Sequence, residues 1–263
     1  DGRLVVMVNQ YSASASEITS GAVQDWDRGV IVGRRTFGKG LVQRPVPFPD
    51  GSMIRLTVAH YYTPTGRDIQ KPYSKGGQKE YAKDIIDRFN HGELMHEDSV
   101  KYVDSLRVQT LLNKRPIYGG GGISPDRFVA LDTTENTLYY RKVMAKGLIN
   151  QFCIKYVDDN RKQIKKLYKT DADFVRGFEV SDAMIQELKE MADKEGIEYD
   201  EEQAKRSRPL FAMIIKALIG RDIYENATYF KVYNGYDPIF REALRLINSP
   251  EYDAILDGSY KKN

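Results

Sequence analysis

An α/β core followed by a mainly α-helical region is the fold class that this sequence predicts, on three observations. A continuous apolar run at residues 4–9, a helix-spaced segment and a second short apolar run read as strand, helix, strand. Two longer β-patterned runs joined by Pro-Asp-Gly-Ser read as a hairpin. From about residue 134 the pattern changes to a helical period and keeps it. The expected organisation is a βαβββ core within residues 1–133 and a helical region over 134–263.

The elements follow in order. LVVMVN (4–9) has the unbroken apolarity of a buried strand. In 14–27, Ile18, Ala22 and Val23 recur at helix spacing. Val30, Ile31 and Val32 stand between Gly29 and Gly33 as a short strand. Residues 41–48 and 53–63 flank the turn and form the hairpin, which Pro64-Thr65-Gly66 ends. Residues 67–118 are polar, with no assignable period. The glycines 119–122 and Ile123-Ser124-Pro125-Asp126 predict a loop, and 128–131 one more short strand. Thr134 is placed to cap a helix reaching about 168, Ser181 one to about 195, and Asp200 one to about 219. Pro209 predicts a kink or a break in the third, and Pro238 fits the first turn of a helix ending near Ile247.

Composition narrows the classes. The chain has 263 residues, 41% hydrophobic, 11% aromatic and 29% charged, as in a globular protein that buries a sizeable core. Forty basic residues against 37 acidic ones leave a net charge of +3, which is no electrostatic footprint for nucleic acid. Cys153, the only cysteine, sits among apolar residues and reads as a core thiol. The longest apolar stretch, 210–215, is too short to span a membrane. The chain begins without methionine and runs directly into a strand, so it is expected to be a piece of a longer protein whose other segments carry any targeting signal.

Two residues carry chemistry. Ser14 lies in SASASE at a strand-to-helix junction, and Lys39 lies in the glycine-flanked turn TFGKG. A serine hydroxyl attacks only when a base removes its proton, and a lysine amine is that base only where its surroundings favour the neutral form. Ser14-Ala15-Ser16-Glu17 also fits a capping box, a purely structural use of the same serine. In the catalytic reading, the free N–H groups of the helix start, Ala15 among them, would stabilise an oxyanion. Ser12 and Ser16 compete with Ser14, and residue chemistry does not separate them. GRRTFGKG resembles a phosphate-binding loop, but Gly40 replaces the required hydroxyl and a β-like segment replaces the following helix. His60, His91 and His96 are scattered without metal-ligand spacing, so no metal and no cofactor is expected. The acidic residues Asp84, Asp87, Glu93, Glu97 and Asp98 read as solvated charge.

The stretch VNQYSASASEITSGAVQDWDRGVIVGRRTFGKGLVQ closely resembles the core motif of the C-terminal processing peptidases, or tail-specific proteases. The resemblance continues through DGSMIRLTVAHYYTPTGRDIQKPY and returns at GGISPD. It covers about the first half of the chain, and the tail is similar in texture to that of bacteroidete-like members. The resemblance implies a ClpP/crotonase-like core, with Ser14 as nucleophile, Lys39 as general base and Gln43 as the residue that orients the lysine. Lys39 and Gln43 are four apart at the start of a strand, which by simple alternation puts both on one face. It implies substrates that are proteins or peptides with accessible C-terminal tails, no nucleotide, and an extracytoplasmic site, periplasmic or membrane-associated through segments outside this chain. A homo-oligomer is compatible with it. The family's PDZ domain and the segment donating the second oxyanion N–H are not in these 263 residues, so the chain alone is expected to be inactive or weak. The alternative is a non-catalytic binding or assembly module on the same fold.

Overall fold

The computed structural model describes residues 2–73 and 77–260. In chain order its elements are β1 (Val5–Val8), α1 (Ala15–Asp25), β2 (Val30–Gly33), β3 (Leu41–Pro47), β4 (Met53–His60), α2 (Gln78–Asn90), β5 (Arg107–Gln109), β6 (Pro116–Tyr118) and β7 (Arg127–Phe128). Helices follow: α3 (Leu138–Ala145), α4 (Leu148–Leu167), α5 (Asp171–Gly177), α6 (Asp182–Lys194), α7 (Glu201–Ile223), α8 (Asn226–Tyr236), α9 (Pro238–Ile247) and α10 (Glu251–Leu256). The chain divides into two compact units, Asp1–Leu131 with Pro238–Asn263, and Asp132–Asp237. Residues from Pro238 onward, read in the sequence with the helical region, thus pack in the first unit.

In the first unit a parallel sheet runs β1-β2-β7, with β2 in the centre. A parallel pair needs a crossover, and α1 supplies it between β1 and β2. Central position explains the composition of β2: Val30, Ile31 and Val32 are completely buried, as a strand covered on both faces requires. Val30 and Val32 pack against Ile239 and Leu246 of α9 and Tyr252 and Ile255 of α10. Strand alternation turns Ile31 to the opposite face. β3 and β4 form the expected antiparallel hairpin, in register from Leu41 opposite His60 to Pro47 opposite Met53, with an irregularity between Val42 and Gln43. β5 and β6 make a second antiparallel pair in the stretch whose sequence showed no period. The strand expected at 128–131 begins one residue earlier and ends at Phe128.

The second unit is helical. Phe152, Phe174, Ile215 and Ile219 are fully buried in its core, and Cys153 lies there at 1% exposure. Burial pushes the Cys153 thiol up to about 12, so it is inert packing. The single helix expected from Thr134 to about 168 is two helices. Gly147 takes a left-handed φ of 69° between them, a conformation glycine adopts without steric cost. The cap of α3 is Thr137, whose side chain accepts from the N–H of Tyr140, while Thr134 bonds to Asp132. Ser181 and Asp200 cap α6 and α7 as their positions suggested. Helix α7 is one continuous element through Pro209, where a kink or a break was expected. Its buried side, including Phe211, Ile215, Leu218 and Ile219, offsets the one lost backbone bond. No helix among the described residues is long and apolar enough to cross a membrane.

Phe152 is completely buried and stacked on Tyr156 with ring centroids 5.7 Å apart. Phe152→Ala is therefore expected to cost about 3–5 kcal/mol, because the cavity it leaves is only partly refilled. Urea denaturation followed by circular dichroism measures this, and a loss under about 1 kcal/mol would remove Phe152 from the core.

Candidate active site

Ser14 sits where β1 has ended and α1 begins, with φ 56° and ψ −120°. A non-glycine residue held at positive φ costs about 1–3 kcal/mol and persists only where its surroundings impose it. A sharp, strained strand-to-helix turn is also the device that presents a nucleophilic serine at the end of a sheet. The three competing serines are now distinguishable. Ser12 accepts from the N–H of Asn9 at 3.0 Å, and its carbonyl accepts from the N–H of Phe37 at 2.9 Å, so it shapes the turn. Ser16 lies inside the first helical turn. Ser14 alone occupies the strained corner. The N–H of Ala15, exposed at the start of α1, has no hydrogen-bond partner among the described residues, as an oxyanion donor requires.

Glu17 does far more than close a capping box. Its side chain is completely buried and accepts four hydrogen bonds. Oε2 takes the N–H of Ser14 at 3.0 Å and the N–H of Lys39 at 2.8 Å. Oε1 takes the hydroxyl of Thr36 and the N–H of Gly38 at 2.7 Å. One carboxylate oxygen thus binds the backbone of both predicted dyad residues. Gly38 has φ 86°, and a Cβ there would lie 3.0 Å from that of Lys71. The N–H of Gly40 goes to Gln70 Oε1 at 3.0 Å. The amides that a phosphate loop would offer are therefore used by Glu17 and Gln70.

The side chains of Lys39 and Gln43 are both exposed. Among the described residues no hydrogen bond joins Ser14 Oγ to Lys39 Nζ, and none joins Lys39 to Gln43. The irregularity between Val42 and Gln43 places the extra residue, Val58, on β4, so the count along β3 from Lys39 to Gln43 is unchanged. The structure brings the backbones of Ser14 and Lys39 together on Glu17 and leaves the lysine's flexible four-carbon stem in solvent. His60 pairs with Asp68 at 2.8 Å and forms no triad with Ser14.

Several buried charges behind the turn were invisible in the sequence. Asp25, at the end of α1, is wholly buried; it pairs with Arg67 and accepts from the N–H of Thr65 at 2.8 Å and its hydroxyl at 2.7 Å. This is what the YYTPTGR stretch does: it folds onto one carboxylate. Burial pushes the Arg67 guanidinium down, with Asp25 opposing the shift. Asp126 of GGISPD accepts from the N–H of Ile31 at 2.8 Å and pairs with Arg115 at 2.7 Å, while Arg115 also pairs with Asp27. Burial works against the Arg115 charge, but Asp126 and Asp27 outweigh it and hold it above the usual arginine range. Glu93, read in the sequence as solvated, is buried between Arg35 and Arg88. Burial alone would raise its carboxyl, but the two guanidiniums keep it below the usual range. Asp84 is likewise an ion-pair partner, of Lys71 at 3.0 Å.

Residues 1–76 match the model of Peptidase family S41, and residues 139–225 match a family of unknown function, DUF8443. The chain is 57% identical over 68 residues to a chloroplastic C-terminal processing peptidase of Tetradesmus obliquus, covering 26% of this chain and 15% of that protein. It is 55% identical over 71 residues to a carboxyl-terminal-processing protease of a Picosynechococcus species, covering 27% and 17%. A solved photosystem II D1 C-terminal processing protease is 56% identical over 25% of this chain and 17% of that one, with a TM-score of 0.25, so the kinship rests on sequence identity. The chain thus spans about a sixth of the length of the relatives it matches, and they do not single out a bacteroidete-like branch. The segment that carries the Ser14 corner, Glu17 and the Lys39 turn is the part of this chain that matches Peptidase family S41 and is similar to the carboxyl-terminal-processing proteases.

Proposed function

We propose that this chain carries the nucleophile and the general base of a serine endopeptidase that cleaves proteins near their C-termini. The observation that supports this most is the strained Ser14 corner tied through Glu17 to the backbone of Lys39. In this reading Ser14 Oγ attacks a peptide carbonyl while the neutral amine of Lys39 takes its proton. The N–H of Ala15 donates to the oxyanion. Lys39 then returns the proton to the leaving amine, and water hydrolyses the acyl-enzyme by the same route in reverse. Gln43 would orient the lysine once the strand start is covered. The substrates are proteins or peptides with accessible C-terminal tails, met outside the cytoplasm.

A lysine in contact with water is a poor base, because desolvation is what favours its neutral form. Lys39 and Gln43 are exposed here, so the dyad needs polypeptide beyond this chain to cover it. The same exposure favours the second reading, a binding or assembly module on the protease fold that performs no hydrolysis.

An active-site serine reagent separates the two. In the intact protease it is expected to modify Ser14, and both Ser14→Ala and Lys39→Ala are expected to abolish labelling. Persistent labelling in Lys39→Ala would eliminate the dyad, and no labelling of the unaltered protein would favour the binding module. The 263-residue chain by itself is expected to cleave a tail peptide weakly or not at all. Robust cleavage that Ser14→Ala abolishes would show that no further covering is needed. Glu17→Gln presents an amide NH2 to N–H donors and leaves buried groups unpaired, which costs about 1–3 kcal/mol for each. That variant should lose stability in denaturation and label slowly; wild-type labelling would show that Glu17 does not set the corner.

A further inference from the structure

We infer that Lys71 is a positioning residue for Lys39: its buried side chain, clasped by α2, holds the ring of Phe37, and its backbone N–H holds the carbonyl of Gly38, from which Lys39 projects. This rests on the Ser14–Lys39 reading and adds to it a residue that the matched motif does not explain. Lys71 is 5% exposed, an unusual place for an ammonium unless it is paired. Its Nζ lies 3.9 Å from the ring centroid of Phe37 and 4.1 Å from that of Tyr81, between two aromatic faces. It pairs with Asp84 at 3.0 Å and donates to the carbonyl of Tyr81 at 3.1 Å. Its backbone N–H donates to the carbonyl of Gly38 at 3.0 Å.

These contacts join two segments. Tyr81 and Asp84 belong to α2, beyond residue 76, where the match to the peptidase family ends. Phe37 and Gly38 lead into Lys39. Arg88, also on α2, donates to the carbonyls of Arg35 at 2.7 Å and Thr36 at 3.0 Å, so the helix grips the approach to the turn at successive residues. Glu17 fixes the N–H groups of Gly38 and Lys39, the backbone N–H of Lys71 fixes the carbonyl of Gly38, and the Lys71 cation fixes the ring of the preceding Phe37. An apolar side chain could fill the space of Lys71 without the desolvation cost of a charge. What the cation adds is attraction to both the ring of Phe37 and the carboxylate of α2.

The test removes the cation and keeps the length. In the 263-residue chain, Lys71→Met is expected to quicken amide hydrogen exchange at Gly38, Lys39 and Gly40 about tenfold, with the amides of β2 unchanged. Lys71→Arg, which retains a cation able to sit between the rings and pair with Asp84, is expected to restore slow exchange. In the intact protease Lys71→Met should lower kcat about tenfold with KM unchanged, as misplacement of a catalytic group does. Unchanged exchange at the three amides, loss of protection in β2 alongside them, or quickened exchange with unaltered kcat would each overturn the positioning role. If Ser14→Ala leaves hydrolysis intact, the dyad fails, while the exchange result still decides whether Lys71 holds the turn.

Discussion

A single buried carboxylate sets the geometry on which the site depends. Among the described residues Glu17 has no ion-pair partner; it is satisfied by the backbone N–H groups of Ser14, Gly38 and Lys39 and the hydroxyl of Thr36. Such bonds are charge-assisted and stronger than neutral ones. They cannot be exchanged for water, because the side chain is completely buried. The carboxylate also lies in the first turn of α1, where the helix dipole favours negative charge. The consequence is local and firm: the corner that strains Ser14 and the turn that carries Lys39 are held by one atom.

Around that centre the molecule uses buried charge as a joint between segments distant in sequence. Asp25 joins the end of α1 to Thr65 and Arg67, and Asp126 joins the central strand at Ile31 to Arg115. Glu93 collects Arg35 and Arg88. Breaking such a pair by removing one partner costs about 3–5 kcal/mol, since it strands the other charge. The pairs are therefore more informative about which segments must meet than about net stability. The TPTGR and GISPD stretches are thus braces for α1 and β2, which carry the Ser14 corner.

Much of the architecture was legible because it obeys local rules. β2 reads as a buried strand from three consecutive branched apolar residues, and the β3–β4 hairpin from its turn residues and alternation. Ser181, Asp200 and Pro238 announced helix starts through capping chemistry. The failures have physical causes. Gly147 divides α3 from α4 because its conformation, and not the apolar period on either side, decides where the chain turns. Pro209 leaves α7 whole because packing outweighs one missing backbone bond. α2 was missed because much of what holds it, Tyr81 and Asp84 on Lys71 and Arg88 on two carbonyls, comes from residues far along the chain.

The sequence by itself determined the α/β class and the helical region, and it named the candidates: a serine at a strand-to-helix junction, a lysine between glycines and, through the family resemblance, a glutamine four residues on. Only the tertiary structure decided which serine stands at the strained corner. It also showed that Glu17 holds the two turns together and that the lysine side chain faces solvent. The reason is the range of the interactions. Propensity, capping and period act over a few residues and leave a pattern in the text of the chain. A hydrogen bond from Lys39 to Glu17, or a cation between Phe37 and Tyr81, joins residues many positions apart and leaves none.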